Sequence, residues 1–186
     1  MHSRRQFMRR AAIAAMAGWP LAARATAADF SADLGRQVAA LLRAEFVDAD
    51  GGLHRLGELT RPLLLVDLWA AWCSECIEEL PMIDRLSRQL EPEMIDVVLI
   101  SHEMNWQDDT AFARKSRLPF RFWRLSPRSA ALTEAAFRME SDRFGLPQSL
   151  VFTGRARTLV QSELGSLDWC APPQLRRVRA WLAAAS

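Results

Sequence analysis

Apolar residues fall along the chain in blocks of two periodicities. Leu34, Val38, Leu41 and Leu42 recur at helical spacing, which predicts an amphipathic helix over Ser31 to Arg43. Phe46 to Arg55 holds Asp50-Gly51-Gly52 at its middle, a turn signal that predicts a short hairpin. Pro62 to Leu68 (PLLLVDL) is an apolar run broken by one acid. Its length and the flanking proline predict a strand buried on both faces. From Glu75 to Leu90, Ile77, Leu80, Ile83 and Leu86 share one helical face, and Pro81 inside that helix predicts a kink. Met94 to Ser101 reads as a second buried strand, Asp108 to Ser116 as a helix, Phe120 to Leu125 as a short strand and Ser129 to Arg138 as a helix. Gln148 to Thr153 and Thr158 to Ser162 flank Gly154 as a hairpin, and Pro172-Pro173 opens a last helix ending near Ala184. Strands alternating with helices, then a hairpin and a final helix, predict an α/β domain whose central mixed sheet is covered on both faces.

The first thirty residues stand outside this pattern. Ser3-Arg4-Arg5-Gln6-Phe7 precedes an apolar stretch from Ala11 to Ala23, and Ala25-Thr26-Ala27 offers small residues at cleavage spacing. A charged start, a short apolar region and an A-x-A site make an export signal over residues 1–27, with the domain over 28–186. The S-R-R-x-F form resembles a bacterial twin-arginine signal. A retained anchor is the alternative, although the apolar stretch is short for a membrane span.

Export changes the charge balance. The chain of 186 residues carries a formal charge of +2; the signal's five arginines leave with no acid, so the charge falls by five to −3. The basic character therefore belongs to the signal, and nucleic-acid binding is not expected. With half of its residues hydrophobic and a quarter charged, the remainder suits one globular domain and not a disordered chain. Outside the cytoplasm, disulfides persist.

Three cysteines are present, two of them in WAAWCSEC: Cys73 and Cys76. Such a pair is half of a metal site, a small staple, or a redox couple. A structural zinc needs about four ligands. His2 leaves with the signal, and His54 and His102 show no ligand spacing. A staple over so short a loop constrains little of the unfolded chain. A strand running into C-x-x-C and then into a helix favours redox work. There the first cysteine meets the helix N-terminus, where unpaired N–H groups stabilise a thiolate. Cys73 is then the nucleophile and Cys76 the more buried, resolving thiol.

LLLVDLWAAWCSEC resembles the active-site strand and turn of thioredoxin-fold proteins. C-x-x-C-x-x-E-x-P, here Cys73, Cys76, Glu79 and Pro81, is more narrowly similar to the exported TlpA/ResA/CcmG-type thiol–disulfide oxidoreductases. Val47-Asp48-Ala49-Asp50-Gly51 with Leu56-Gly57-Glu58-Leu59 resembles their opening hairpin. Phe144-Gly145-Leu146-Pro147 resembles the loop whose proline is cis and faces the cysteines. Gly165-Ser166-Leu167-Asp168-Trp169 resembles the stretch before the last helix, and Ser101 to Arg143 the helix and strand that this branch inserts. The resemblance spans nearly all of residues 31–184. It implies a thioredoxin-like three-layer α/β/α sandwich, with Pro147 and Leu146 presenting backbone to an extended partner.

Departures from the family pattern carry chemistry of their own. Ser74-Glu75 replaces the commoner proline-containing dipeptide, and a carboxylate beside Cys73 opposes its thiolate. Asp67 stands where this branch often has a neutral amide and thioredoxin a buried acid. Gln148-Ser149 follows the loop proline where hydroxyl residues are common. Asp67 and Glu79 are the acid/base candidates, since a carboxylate in an apolar strand has a raised pKa and can pass a proton to or from Cys76. Trp72 and Trp69 flank the site as an apolar docking surface for a partner, with core as the alternative for Trp69. Cys170 is left over, a tolerated thiol or a second redox contact.

The expectation is a periplasmic, monomeric reductase of protein disulfides, with no cofactor beyond the Cys73–Cys76 disulfide and no metal. Family resemblance implies a membrane electron donor of the DsbD/CcdA type and targets such as apocytochrome c or a copper-delivery protein. A disulfide-donating oxidase is the alternative within this chemistry. A copper(I) metallochaperone is the alternative outside it, since thiolates suit that soft ion.

Overall fold

The computed structural model describes residues 27–90, 93–102, 106–129 and 145–185. The export signal expected over residues 1–27 lies outside them but for Ala27, and the helix predicted over Ser129 to Arg138 but for Ser129.

The first helix, α1, runs Ala27–Arg43, four residues longer at its start than its apolar periodicity predicts. Ala27 and Ala28 extend it because alanine favours helix without contributing to an apolar stripe. Next comes the hairpin of β1 (Phe46–Asp48) and β2 (Leu53–His54). Its turn is tied by the Asp48 side chain, whose Oδ1 accepts from the amides of Asp50 (3.0 Å) and Gly52 (2.7 Å). Gly51 there adopts φ +88°, a conformation glycine reaches without a Cβ clash.

A single 3₁₀ turn (Leu56–Glu58) leads to β3 (Leu63–Trp69), buried along its whole length. Helix α2 spans Ser74–Gln89 with Pro81 inside it. Strand β4 (Ile95–Ser101), helix α3 (Trp106–Ser116) and β5 (Arg121–Leu125) follow. Strands β6 (Gln148–Thr153) and β7 (Thr158–Leu164) form the predicted hairpin, and helix α4 spans Pro172–Ala185. For the described elements from β3 onward, predicted and observed boundaries differ by no more than two residues, the spread expected of frayed ends.

The strands form one mixed sheet in the order β2-β1-β5-β4-β3-β6-β7. β3 lies near its centre, parallel to β4 and antiparallel to β6. Being paired on both edges and covered on both faces, it reads as a continuous apolar run and not as an alternating one. Alternation instead sorts its side chains between two cores. Leu64, Val66 and Leu68 join Leu41, Phe46, Trp123 and Phe152 beneath α1. Leu63, Leu65 and Trp69 point the other way, into the core formed with Cys76, Leu80 and Ile83 of α2 and Val178 and Leu182 of α4. These layers make a thioredoxin-like α/β/α sandwich. Asp67 is odd-numbered like Leu65 and Trp69, so the period-two geometry of a strand aims it at the α2 layer.

The far end of the sheet is held electrostatically. Asp96, buried at the start of β4, receives Arg121 at 2.8 Å and the Arg61 amide at 3.3 Å. The Arg157 guanidinium, also buried, donates to the carbonyls of Arg61 (2.9 Å) and Leu59. These bonds lie opposite the cysteine end of β3 and serve packing there.

Candidate active site

The cysteine turn is built by the exit from β3. The Cys73 amide donates to the Ala70 carbonyl (3.1 Å), closing a turn, and the His102 amide donates to the Trp69 carbonyl (2.9 Å). Asp109 on α3 ties the turn from outside. Its Oδ1 accepts from the Ala71 amide at 2.8 Å, and its Oδ2 accepts from the Ser101 hydroxyl at the end of β4. One buried carboxylate thus anchors the turn to the neighbouring strand. Sequence reading missed this role, because Asp108-Asp109 looks like the ordinary acidic start of a helix.

Cys73 is the N-cap of α2, and its Sγ accepts from the Cys76 amide at 3.1 Å. Cys73 and Cys76 are joined in a disulfide. Cys73 is 7 % exposed and Cys76 1 %, so only the first sulfur offers an approach to a partner. The Cys76 N–H donates to that sulfur, and its place at the helix N-terminus favours thiolate over thiol once the bond is reduced.

Both acids predicted for the site are buried in the α2 layer. Glu79 follows Cys76 by three residues, so the two rise from one face of the helix. Glu79 Oε1 accepts from the Trp169 indole N–H at 2.6 Å and from the Leu167 amide at 3.2 Å. Burial raises its pKa to about 7, against the pull of those two bonds. Asp67 Oδ2 accepts from the Ser149 hydroxyl at 2.9 Å, across the β3–β6 register that places the two residues opposite each other. Its pKa is raised well above the usual carboxylate range, first by burial and then by the charge of Glu79, while the Ser149 bond acts the other way. The Asp67–Ser149 and Glu79–Trp169 links join elements far apart in sequence, and neither was foreseen.

The Leu146–Pro147 peptide bond is cis. Gln148 pairs with Leu68, so Pro147 stands level with Trp69, at the cysteine end of the sheet. Its carbonyl accepts from the Gly165 amide at 2.9 Å. Leu146 is half-buried and packs against both cores. The two tryptophans part company. Trp69 is fully buried against Phe112 and Phe122, with ring centroids 5.1 and 5.6 Å away, whereas Trp72 is 68 % exposed. Only Trp72 offers a surface to a partner.

The remaining candidates fall elsewhere. Nε2 of His54 lies 2.6 Å from Asp48 Oδ2, and its ring stacks on Trp123 in the first hairpin. Among the described residues, no cluster of three or more His, Cys, Asp or Glu side chains is arranged to hold a metal ion. Cys170 is a half-buried free thiol that donates to the Met82 carbonyl at 3.5 Å.

The chain matches no protein-family model. Among solved structures it is similar to the thioredoxin domain of a thiol-disulfide oxidoreductase from Bacteroides vulgatus. That match has 17 % identity and TM-score 0.62, covering 76 % of this chain and 95 % of that one. A thiol:disulfide interchange protein from Bacteroides sp. aligns with TM-score 0.59 at 17 % identity over 77 % of this chain and 88 % of its own. StoA from Bacillus subtilis aligns with TM-score 0.52 at 14 % identity over 74 % and 93 %. These likenesses show the thioredoxin-like fold, in which the strand–turn–helix of Cys73 and Cys76 is embedded.

Proposed function

We propose that this chain is a periplasmic thiol–disulfide oxidoreductase of the TlpA/ResA/CcmG type that reduces protein disulfides. The observation that carries the reading is the cysteine pair itself: an approachable sulfur at a helix N-cap, bonded to a buried sulfur one turn away, with two buried acids in the same layer. The twin-arginine-like start supports export. No described helix is long and apolar enough to cross a membrane.

In the reduced protein, the Cys73 thiolate attacks one sulfur of a partner disulfide. The partner's other sulfur leaves with the electron pair and takes up a proton. Cys76 then loses its proton to Glu79, with Asp67 as the neighbouring acid, and attacks Cys73 Sγ. The second partner sulfur leaves as a thiolate, so the partner gains two electrons and the pair ends as the Cys73–Cys76 disulfide. A carboxyl with a pKa of about 7 accepts and returns that proton near neutral pH. Trp72, Leu146 and Pro147 form the side on which an extended partner segment lies. The enzyme works as a monomer with no cofactor beyond its own disulfide. A membrane donor of the DsbD/CcdA type resets it, and its targets are apocytochrome c or copper-site cysteines.

The test is the reduction potential of the pair in thiol/disulfide buffers, followed by tryptophan fluorescence and paired with turnover of a model protein disulfide. A potential near about −270 mV agrees with a reductase, whereas one near about −120 mV makes the protein an oxidase and reverses the electron flow. Cys73→Ser abolishes turnover; activity retained in that variant overturns the assignment.

A further inference from the structure

The loop between β7 and α4 is clamped at both ends. At its start, Gly165 (φ +98°) donates its amide to the Pro147 carbonyl at 2.9 Å. At its end, Asp168 Oδ1 accepts from the Cys170 amide (2.9 Å) and the Asp168 carbonyl from the Ala171 amide (3.1 Å), a turn that delivers the chain into α4. Between these clamps stand the two groups that meet Glu79, the Leu167 amide and the indole of Trp169, itself 1 % exposed.

Both donors converge on one oxygen. Glu79 Oε1 takes N–H bonds of 2.6 and 3.2 Å, while Oε2 is buried and has no hydrogen-bond partner among the described residues. An oxygen already accepting two N–H bonds is a poor place for a proton, because the proton would displace a donor. The bare oxygen is then the one that binds and releases it. N–H bonds to a carboxylate also favour its charged form, against burial. The loop therefore sets both which oxygen is reactive and how readily it takes a proton.

We infer that Trp169 is a positioning residue for thiol exchange: with the Leu167 amide, its indole N–H pins Glu79 Oε1 and leaves Oε2 as the oxygen that trades a proton with Cys76. The inference rests on the thiol–disulfide reading of the cysteine pair. It also couples the loop to the partner side, because the same segment is tied through Gly165 to the carbonyl of Pro147.

The experiment uses the full chain. The carboxyl C=O stretch of Glu79, identified by its loss in Glu79→Gln, is titrated against pH in the oxidised protein by infrared difference spectroscopy. Trp169→Phe removes the N–H, and benzothienylalanine at position 169 replaces it with sulfur at nearly constant shape, which covers the case in which the phenylalanine variant folds poorly. In either variant the titration midpoint moves upward by about one pH unit or more, roughly tenfold in the acid constant. The pH at which Cys76 resolves a trapped mixed disulfide moves with it, at unchanged rate of Cys73 alkylation. A midpoint that stays in place in both variants overturns the positioning role, whatever the turnover. A midpoint that moves in the variants, while the wild-type protein shows no disulfide exchange, overturns the reading of the cysteine pair, and with it the link to Cys76.

Discussion

Replacing Glu79 by glutamine tests the buried acid without any partner protein. The Glu79 pKa rises from an ordinary 4.5 to about 7 on folding, and burial is the first cause. A raised folded pKa means that the native state holds the proton more tightly than the unfolded chain does. The glutamate is then fully accommodated below about pH 4.5, and its contribution to stability is lost progressively as the pH rises to about 7. At about 1.4 kcal/mol per pH unit, the loss over that window is about 3 kcal/mol. Glutamine keeps an acceptor for the Trp169 and Leu167 N–H groups and carries no charge at any pH. The stability of Glu79→Gln relative to wild type should therefore climb by about 3 kcal/mol between pH 4.5 and pH 8. Asp67 adds in the same direction, since the charge of Glu79 is one cause of its own raised pKa and the variant removes that charge. Urea denaturation of the oxidised chain across that range gives the difference curve. A flat difference means that Glu79 ionises in the native state as readily as in the unfolded chain, and refutes both its burial and its role as the proton acceptor.

Further outcomes follow from the same geometry. Cys76→Ser lets Cys73 attack but leaves nothing to resolve the product, so the variant accumulates a mixed disulfide visible on a non-reducing gel; a variant that turns over normally assigns resolution to another thiol. Asp109→Ala strips the Ala71 amide and the Ser101 hydroxyl of a shared buried acceptor, costing about 1–3 kcal/mol in denaturant unfolding and loosening the cysteine turn, read as faster alkylation of reduced Cys73. Trp72→Ala changes stability by no more than about 0.5 kcal/mol, because the ring is 68 % exposed, yet raises the KM for a protein disulfide without lowering kcat. Equal loss in KM and in stability would assign Trp72 to packing instead.

Which parts of this protein were legible before its structure depends on the range of the interactions behind them. The PLLLVDL run announced β3 because a strand paired on both edges must be apolar on both faces. Asp50-Gly51-Gly52 announced its turn because a φ of +88° calls for glycine, and α2 was visible in the spacing of Leu80, Ile83 and Leu86. The cysteine pair was legible for the same reason. A strand running into a helix puts a residue at the N-cap, and Cys73 occupies it.

Other features turned on partners distant in the chain. Asp109 looked like any acid opening a helix, since the Ala71 amide it holds lies 38 residues away. Glu79 stood out as an acid/base candidate by its place three residues after Cys76, but its burial and its bond to Trp169, 90 positions later, came only with the fold. Trp72 was the candidate for the surface and Trp69, three residues earlier, fitted either surface or core; pairing with β4 and packing against α3 sent Trp69 inward and left Trp72 in solvent. Local steric preference and hydrophobic period act over a few residues and are written wherever those residues stand. Burial, and with it the pKa values of Asp67 and Glu79, depends on what the rest of the chain brings up against a side chain, and that is settled when the layers close.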